Sequence, residues 1–163
     1  MAITKAKKKE ILDDLSQHLT DAKAVTFVNF KGLSVNDTTQ LRKDLHAENV
    51  GYKVAKKTLI RRVLDARQTD GAMPVLDGNI AVAWSSTDLT APARLVHGFR
   101  KGREDKLAIA GGIFEGRYLD AAGMIEIATI PGMQTLRGMF VNVINSPIQG
   151  FVVALSKIAE KKA

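Results

Sequence analysis

Between Glu48 and Asp65 the chain carries Lys53, Lys56, Lys57, Arg61 and Arg62 and not one acid. In GYKVAKKTLIRRVL, residues 51–64, these cations are interleaved with Tyr52, Val54, Leu59, Ile60, Val63 and Leu64. The apolar members can fasten the segment to a core while the cations turn outward. That leaves an uncompensated basic surface of the kind that holds a polyanion, such as the phosphate backbone of a nucleic acid. A merely solvated helix face has the same pattern, so this stretch alone leaves both readings open.

The elements that must position these cations follow from periodicity and punctuation. Thr4 can cap a first helix with Ile11, Leu12, Leu15 and Leu19 at helical spacing, and Lys5, Lys7, Lys8 and Lys9 crowd its first turns against the macrodipole. Residues 24–30, AVTFVNF, read as a strand, and Lys31-Gly32-Leu33 turns out of it. Ser34 with Asp37 forms a capping-box pattern for a second helix whose apolar face is Val35, Leu41 and Leu45, with Arg42 and Lys43 off that face. Asn49 and Gly51 stop this helix. Tyr52 and Val54 mark a second strand, and the basic helix runs from Thr58, or just before it, to near Gln68.

Asp70-Gly71, Pro74 and Asp77-Gly78 punctuate a loop before a third strand, residues 79–84. Thr87 or Thr90 caps a helix through Leu95, Val96 and Phe99, which ends on Arg100-Lys101-Gly102-Arg103, cations at the favoured pole. Residues 107–114 read as a fourth strand interrupted by Gly111-Gly112, followed by a short helix over 120–128. The expected fold is α+β, an α/β sandwich with a small four-stranded mixed or antiparallel sheet flanked by helices.

Ile130-Pro131-Gly132 ends this alternation. Residues 1–130 are expected to form one domain and residues 131–163 an extended C-terminal helical tail. Leu136, Met139, Phe140, Val143 and Ile144 give one amphipathic helix; Pro147 interrupts; Ile148, Phe151, Val152, Leu155, Ile158 and Ala159 give another. A large apolar side chain contributes about 1.5–3 kcal/mol when fully buried, so the stripe calls for a partner groove or for folding back on the sheet domain.

Charge is distributed in keeping with this division. The formal net charge is +7, and residues 1–70 hold 14 Lys or Arg against 9 acids, residues 71–130 hold 6 against 7, and residues 131–163 hold 4 against 1. A near-neutral middle separates two basic ends. No cysteine is present, which excludes disulfides and thiolate metal sites. No uninterrupted apolar run approaches the ~18 residues of a membrane-spanning helix, and the first residues lack the apolar stretch of a secretory signal; a cytoplasmic protein without membrane partners is expected. His18, His46 and His97 are isolated, with no metal-ligand spacing. AGGIFEGR, residues 110–117, lacks the phosphate-loop signature and suits a bulge or turn. Ser85-Ser86 has no base nearby in the sequence. The expectation is no catalytic constellation, no metal and no cofactor.

FKGLS, then LRKDLHAENVGYKVAKKTLIRRVLD, then EGRYLD, IATIPG and the proline-punctuated tail occur in an order that resembles the bacterial stalk-base protein family of the large ribosomal subunit, the tenth of the large-subunit series. The resemblance covers essentially the whole chain. It implies an N-terminal domain bound to large-subunit ribosomal RNA beside a neighbouring stalk-base protein, and a C-terminal helix carrying dimers of the acidic stalk protein, through which translational GTPases are recruited. It places Lys31, Gly32, Arg42, Lys53, Lys56, Thr58, Arg61 and Arg62 at the family's RNA-binding positions. Lys57 stands where members usually have Asn, exchanging an amide for a charge. Lys7 and Lys8 are added as cations of the first helix. The partner-binding candidates are Ile148, Phe151, Val152, Leu155, Ile158 and Ala159. Only about one and a half of the family's ten-residue apolar segments follow Pro147, which gives an expectation of two stalk dimers. Repression of its own messenger is a further role the resemblance implies. Two other readings remain: a nucleotide-dependent α/β enzyme, drawn from the alternating elements and the glycines at 111, 112 and 116, and a free RNA-binding regulator.

Overall fold

Residues 24–30 are apolar toward both sides, and the computed structural model, which describes residues 5–67, 69–103 and 105–162, places them in the middle of a sheet. The chain divides after Ile130 into two units. The first contains α1 (Lys5–Asp21), β1 (Ala24–Phe30), α2 (Val35–Ala47), β2 (Gly51–Val54), α3 (Lys57–Ala66), β3 (Ile80–Ser85), α4 (Ala91–Arg100), β4 (Leu107–Phe114), β5 (Arg117–Leu119) and α5 (Ala121–Thr129). The second is the single helix α6 (Met133–Lys162). The proposed cap Thr4 and the expected helix end at Gln68 lie outside the described residues.

The fold is α+β, with strand order β2-β3-β1-β4-β5 and every neighbouring pair antiparallel. Five strands replace the expected four. The added one is β5, Arg-Tyr-Leu, too short to show a period in sequence. It returns along β4 through Glu115-Gly116, both at positive φ (49° and 80°), the two-residue turn whose twist matches a hairpin. Gly111-Gly112 does not interrupt β4. Phe27 lies opposite Gly111 and Val28 opposite Ile109, so Ala110 is the extra residue of a bulge. Gly111, at φ 139°, could not take a side chain, because a Cβ would lie 2.8 Å from the Leu119 carbonyl oxygen. At Gly112 the space is filled by the Met124 side chain of α5.

Alternation along the strands sends side chains into two cores. Val25 and Phe27 of β1, Ile80 and Val82 of β3, and Ile113 of β4 pack with Leu15 and Leu19 of α1 and Ile60, Val63 and Leu64 of α3. Val28, Ala81 and Ala83 face the other way, onto Leu41 and Leu45 of α2, Ala93 and Val96 of α4, and Met124 of α5. The order is therefore helices, sheet, helices.

Local chemistry sets the helix ends. Ser34 Oγ accepts from Asp37 N at 3.1 Å and donates to Asp37 Oδ2 at 2.7 Å. The other carboxylate oxygen of Asp37 takes Arg103 Nε at 3.0 Å and Nη2 at 2.9 Å, and the same guanidinium lies 4.5 Å over the Phe99 ring. Arg103 is thus a tie between α2 and the segment after α4 rather than a solvated end charge. Val35 does not share the face of Leu41 and Leu45 and is 82% exposed; at about 100° per residue it sits roughly 120° from Leu41 around the helix. At the C-terminus of α2, Asn49 takes the left-handed conformation (φ 56°), its N–H bonds His46 O, and Val50 N bonds Leu45 O. This is a Schellman motif, sealed by contact between Val50 and Leu45.

Gly51 is not part of that stop. It lies beneath the Trp84 indole, where a Cβ would overlap the ring. The start of α4 is held by Asp88, whose Oδ1 accepts from the N–H (2.9 Å) and hydroxyl (3.0 Å) of Thr90; Thr90 itself makes no side-chain cap.

The second unit corrects another expectation. Pro147 lies inside one continuous helix. Proline's φ is compatible with a helix; the ring removes the bond to the Val143 carbonyl and crowds it, a cost of about 3 kcal/mol that the helix tolerates. Leu136, Phe140, Val143, Ile144, Ile148, Phe151, Leu155 and Ile158 consequently share one stripe, while Asn142, Asn145, Gln149, Ser156 and Glu160 line the opposite side. Although no apolar run in the sequence reaches that length, the uninterrupted helix over residues 133–161 is long and apolar enough, by length and composition, to cross a membrane. The polar residues of the opposite side, interrupted by Val153, suit a one-sided partner better than a bilayer.

Two outcomes follow. Gly51→Ala forces the indole to move and is expected to cost about 1–3 kcal/mol, read in a thermal melt, and to shift the emission of Trp84, the sole tryptophan. The Asp37 carboxyl is held below its ordinary value of 3.8, first by the Ser34 hydroxyl and then by Arg103. Its stabilisation is therefore complete above that ordinary value and is lost as pH falls through the lower folded value. Melts between neutral and strongly acid pH are expected to show this loss in the native chain and its absence in Asp37→Asn.

Candidate nucleic-acid interface

The antiparallel pairing brings the end of β1, the end of β2 and the start of β3 to one end of the sheet: Asn29 lies opposite Ile80, and Val54 opposite Ala81. Lys31 follows β1 and is pinned by its backbone, its N–H donating to Lys106 O at 2.8 Å. Gly32 turns at φ 67°. Two residues beyond β2, α3 begins. Lys31, Gly32, Lys56, Lys57 and Thr58 are all exposed here. Lys56, Lys57 and Thr58, but not Lys31 or Gly32, line a cleft of about 430 Å³ whose walls include Ile11, Phe30, Val54, Leu59 and Ile80. Lys7 and Lys8 are exposed on α1, four and three residues before Ile11 and hence on its side of the helix.

Helix α3 buries Leu59, Ile60, Val63 and Leu64. Its remaining face carries Lys57 and Arg61 in one row and Thr58 and Arg62 in the next, all exposed. Its first turn has no acid, and Lys56 at the N-cap makes no side-chain cap. Cations at this pole oppose the macrodipole, and an external anion would relieve both. Among the described residues no carboxylate lies within ion-pair distance of Lys7, Lys8, Lys31, Lys56, Lys57, Arg61 or Arg62.

Two predicted site residues are engaged otherwise. Lys53 pairs with Asp14 of α1, so the basic segment is compensated at that point. Asp14 also lies 3.3 Å from His18 Nε2, and the His18 ring stacks on Trp84 with centroids 5.0 Å apart. Arg42 lies 5.9 Å over the Tyr52 ring; burial raises the Tyr52 hydroxyl pKa, and the Arg42 charge opposes that shift. Arg42 is exposed, but it belongs to the helix layer opposite α3. Two further cations, Arg67 and Arg94, are structural. Arg67 donates to the carbonyls of Leu19 and Ala22, closing the end of α1, and Arg94 pairs with Glu48 and Asp88.

Sequence reasoning overlooked Gly78, Asn79 and Phe30 as parts of the cleft. The Asp77-Gly78 pair was the available signal: Gly78 has φ 75° and packs on the Asn29 side chain, which brings the loop to the end of β1. In α6 the side chains of Ile148, Phe151, Val152, Leu155, Ile158 and Ala159 are all exposed. Among the described residues no group of three potential metal ligands occurs.

The chain was compared with known proteins. A family model described as "Ribosomal protein L10" matches residues 3–101. A protein of Lactobacillus johnsonii, "Large ribosomal subunit protein uL10", is 35% identical over 96% of this chain and 95% of its own length. Proteins of the same name from Staphylococcus saprophyticus (35% identical; 99% and 94% covered) and Bacillus licheniformis (32% identical; 95% and 93%) are similar over comparable lengths.

Proposed function

Because the chain belongs to the ribosomal protein L10 family and is a non-enzymatic constituent of the large ribosomal subunit in the cytoplasm, we propose that it is an adaptor with RNA at one end and acidic protein at the other. The N-terminal unit binds large-subunit ribosomal RNA through Lys31, Gly32, Lys56, Lys57, Thr58, Arg61 and Arg62, with Lys7, Lys8 and Arg42 extending the contact. Lys53 serves mainly to brace β2 against α1. The observation that carries this reading is the face of α3, where four polar or basic side chains stand exposed without a carboxylate partner above a fully apolar buried side. A neighbouring stalk-base protein shares the RNA, and the protein's own messenger is a second ligand for the same cations.

Helix α6 carries dimers of the acidic stalk protein, and translational GTPases are recruited through them. Its continuous apolar stripe supports this, because a lone helix has no layer of its own against which to bury those side chains. The continuity through Pro147 puts the segments before and after it in phase on one face; the length after Pro147 gives a count of two dimers.

Two experiments test the two ends. Reversing Lys56, Lys57, Arg61 and Arg62 to Glu is expected to abolish binding to large-subunit RNA without unfolding, since all four are exposed. Neutralising them to Gln instead should flatten the slope of log affinity against log salt by about three. A folded reversal variant that binds undiminished removes the site assignment. Deleting residues 147–163 is expected to release the acidic partner with RNA binding intact, and native mass measurement of the undeleted complex counts the dimers. Retention of the full partner load after deletion would show that the stripe serves the protein's own core.

A further inference from the structure

We propose that the cleft at the start of α3 takes one unpaired base of the bound RNA, with Lys56 and Lys57 on the flanking phosphates. The inference rests on the RNA-binding reading above and specifies which part of the RNA enters the fold. Phosphate contact needs only outward cations, and Arg61 and Arg62 on the convex face of α3 provide it. The recess beside them is built differently. Its walls are Ile11, Phe30, Val54 and Ile80, and Val54 is 44% exposed at the end of its strand, an aliphatic side chain left facing water two residues from a lysine.

The volume, about 430 Å³, falls in the range of cavities that accept small planar ligands, roughly 300–1,000 Å³. A paired base hides its faces within the stack, so only a splayed, unpaired base has an apolar surface to place there. Aromatic and aliphatic walls accept any base, while the exposed Thr58 and Asn79 at the rim supply a hydroxyl and an amide for its polar edge. The cations at the rim and the apolar floor together match the two halves of a nucleotide, and an aliphatic side chain from a protein neighbour would use only the floor.

The test uses the whole chain bound to purified large-subunit ribosomal RNA. Val54→Asn removes apolar wall without removing charge, and is expected to weaken binding roughly tenfold with the salt slope unchanged. Ultraviolet crosslinking of the native complex, followed by peptide mass mapping, is expected to place a nucleotide adduct on Phe30 or within residues 54–59. Should Val54→Asn unfold, Val54→Thr keeps the shape and is expected to weaken binding about threefold. Unchanged affinity in a folded variant overturns the proposal. So does unchanged RNA affinity combined with loss of the neighbouring ribosomal protein, which would assign the cleft to a protein side chain. If the native chain itself fails to bind the RNA, the RNA-binding reading falls instead.

Discussion

Strand β1 is paired along both sides and buried on both faces, and this double constraint organises the first unit. Val25 and Phe27 require one helical layer and Val28 another, and β3 and β4, both antiparallel to it, satisfy its backbone on the two sides. Once that is met, the end of β1 has only one place to go. Phe30 enters the cleft wall, and Lys31 and Gly32 follow at the same end of the sheet, Lys31 held to Lys106 O. The basic surface is thus a consequence of where the buried strand ends.

Most of this architecture is legible in the amino-acid order. The strands at 24–30, 80–85 and 107–114 announce themselves through β-branched and aromatic content, and Ser34-Asp37 marks the start of α2. What is not legible depends on partners distant in sequence. Lys53 reads as uncompensated because its acid, Asp14, lies on α1. Arg103 reads as a helix-end charge because Asp37 is 66 residues away. Three residues are too few to reveal β5, and proline statistics overstate the power of Pro147 to break a helix whose freed carbonyl can be hydrated.

The division of labour among cations sharpens the same point. Arg67, Arg94, Arg103 and Lys53 are committed to carbonyls and carboxylates within the fold, whereas those of α3 and the β1 turn are not. Net charge in the first seventy residues therefore understates how concentrated the available charge is. The residues that hold the scaffold together and those left to meet an anion are of the same chemical types, and only geometry separates them.

The short outer strands of the sheet carry one further implication. At four and three residues, β2 and β5 expose few unpaired backbone groups, and β2 has glycine at its start and lysine in its middle. Such borders resist edge-to-edge polymerisation. On this account the sheet unit resists edge-to-edge association, and the exposed apolar face of α6 is the surface left open to association.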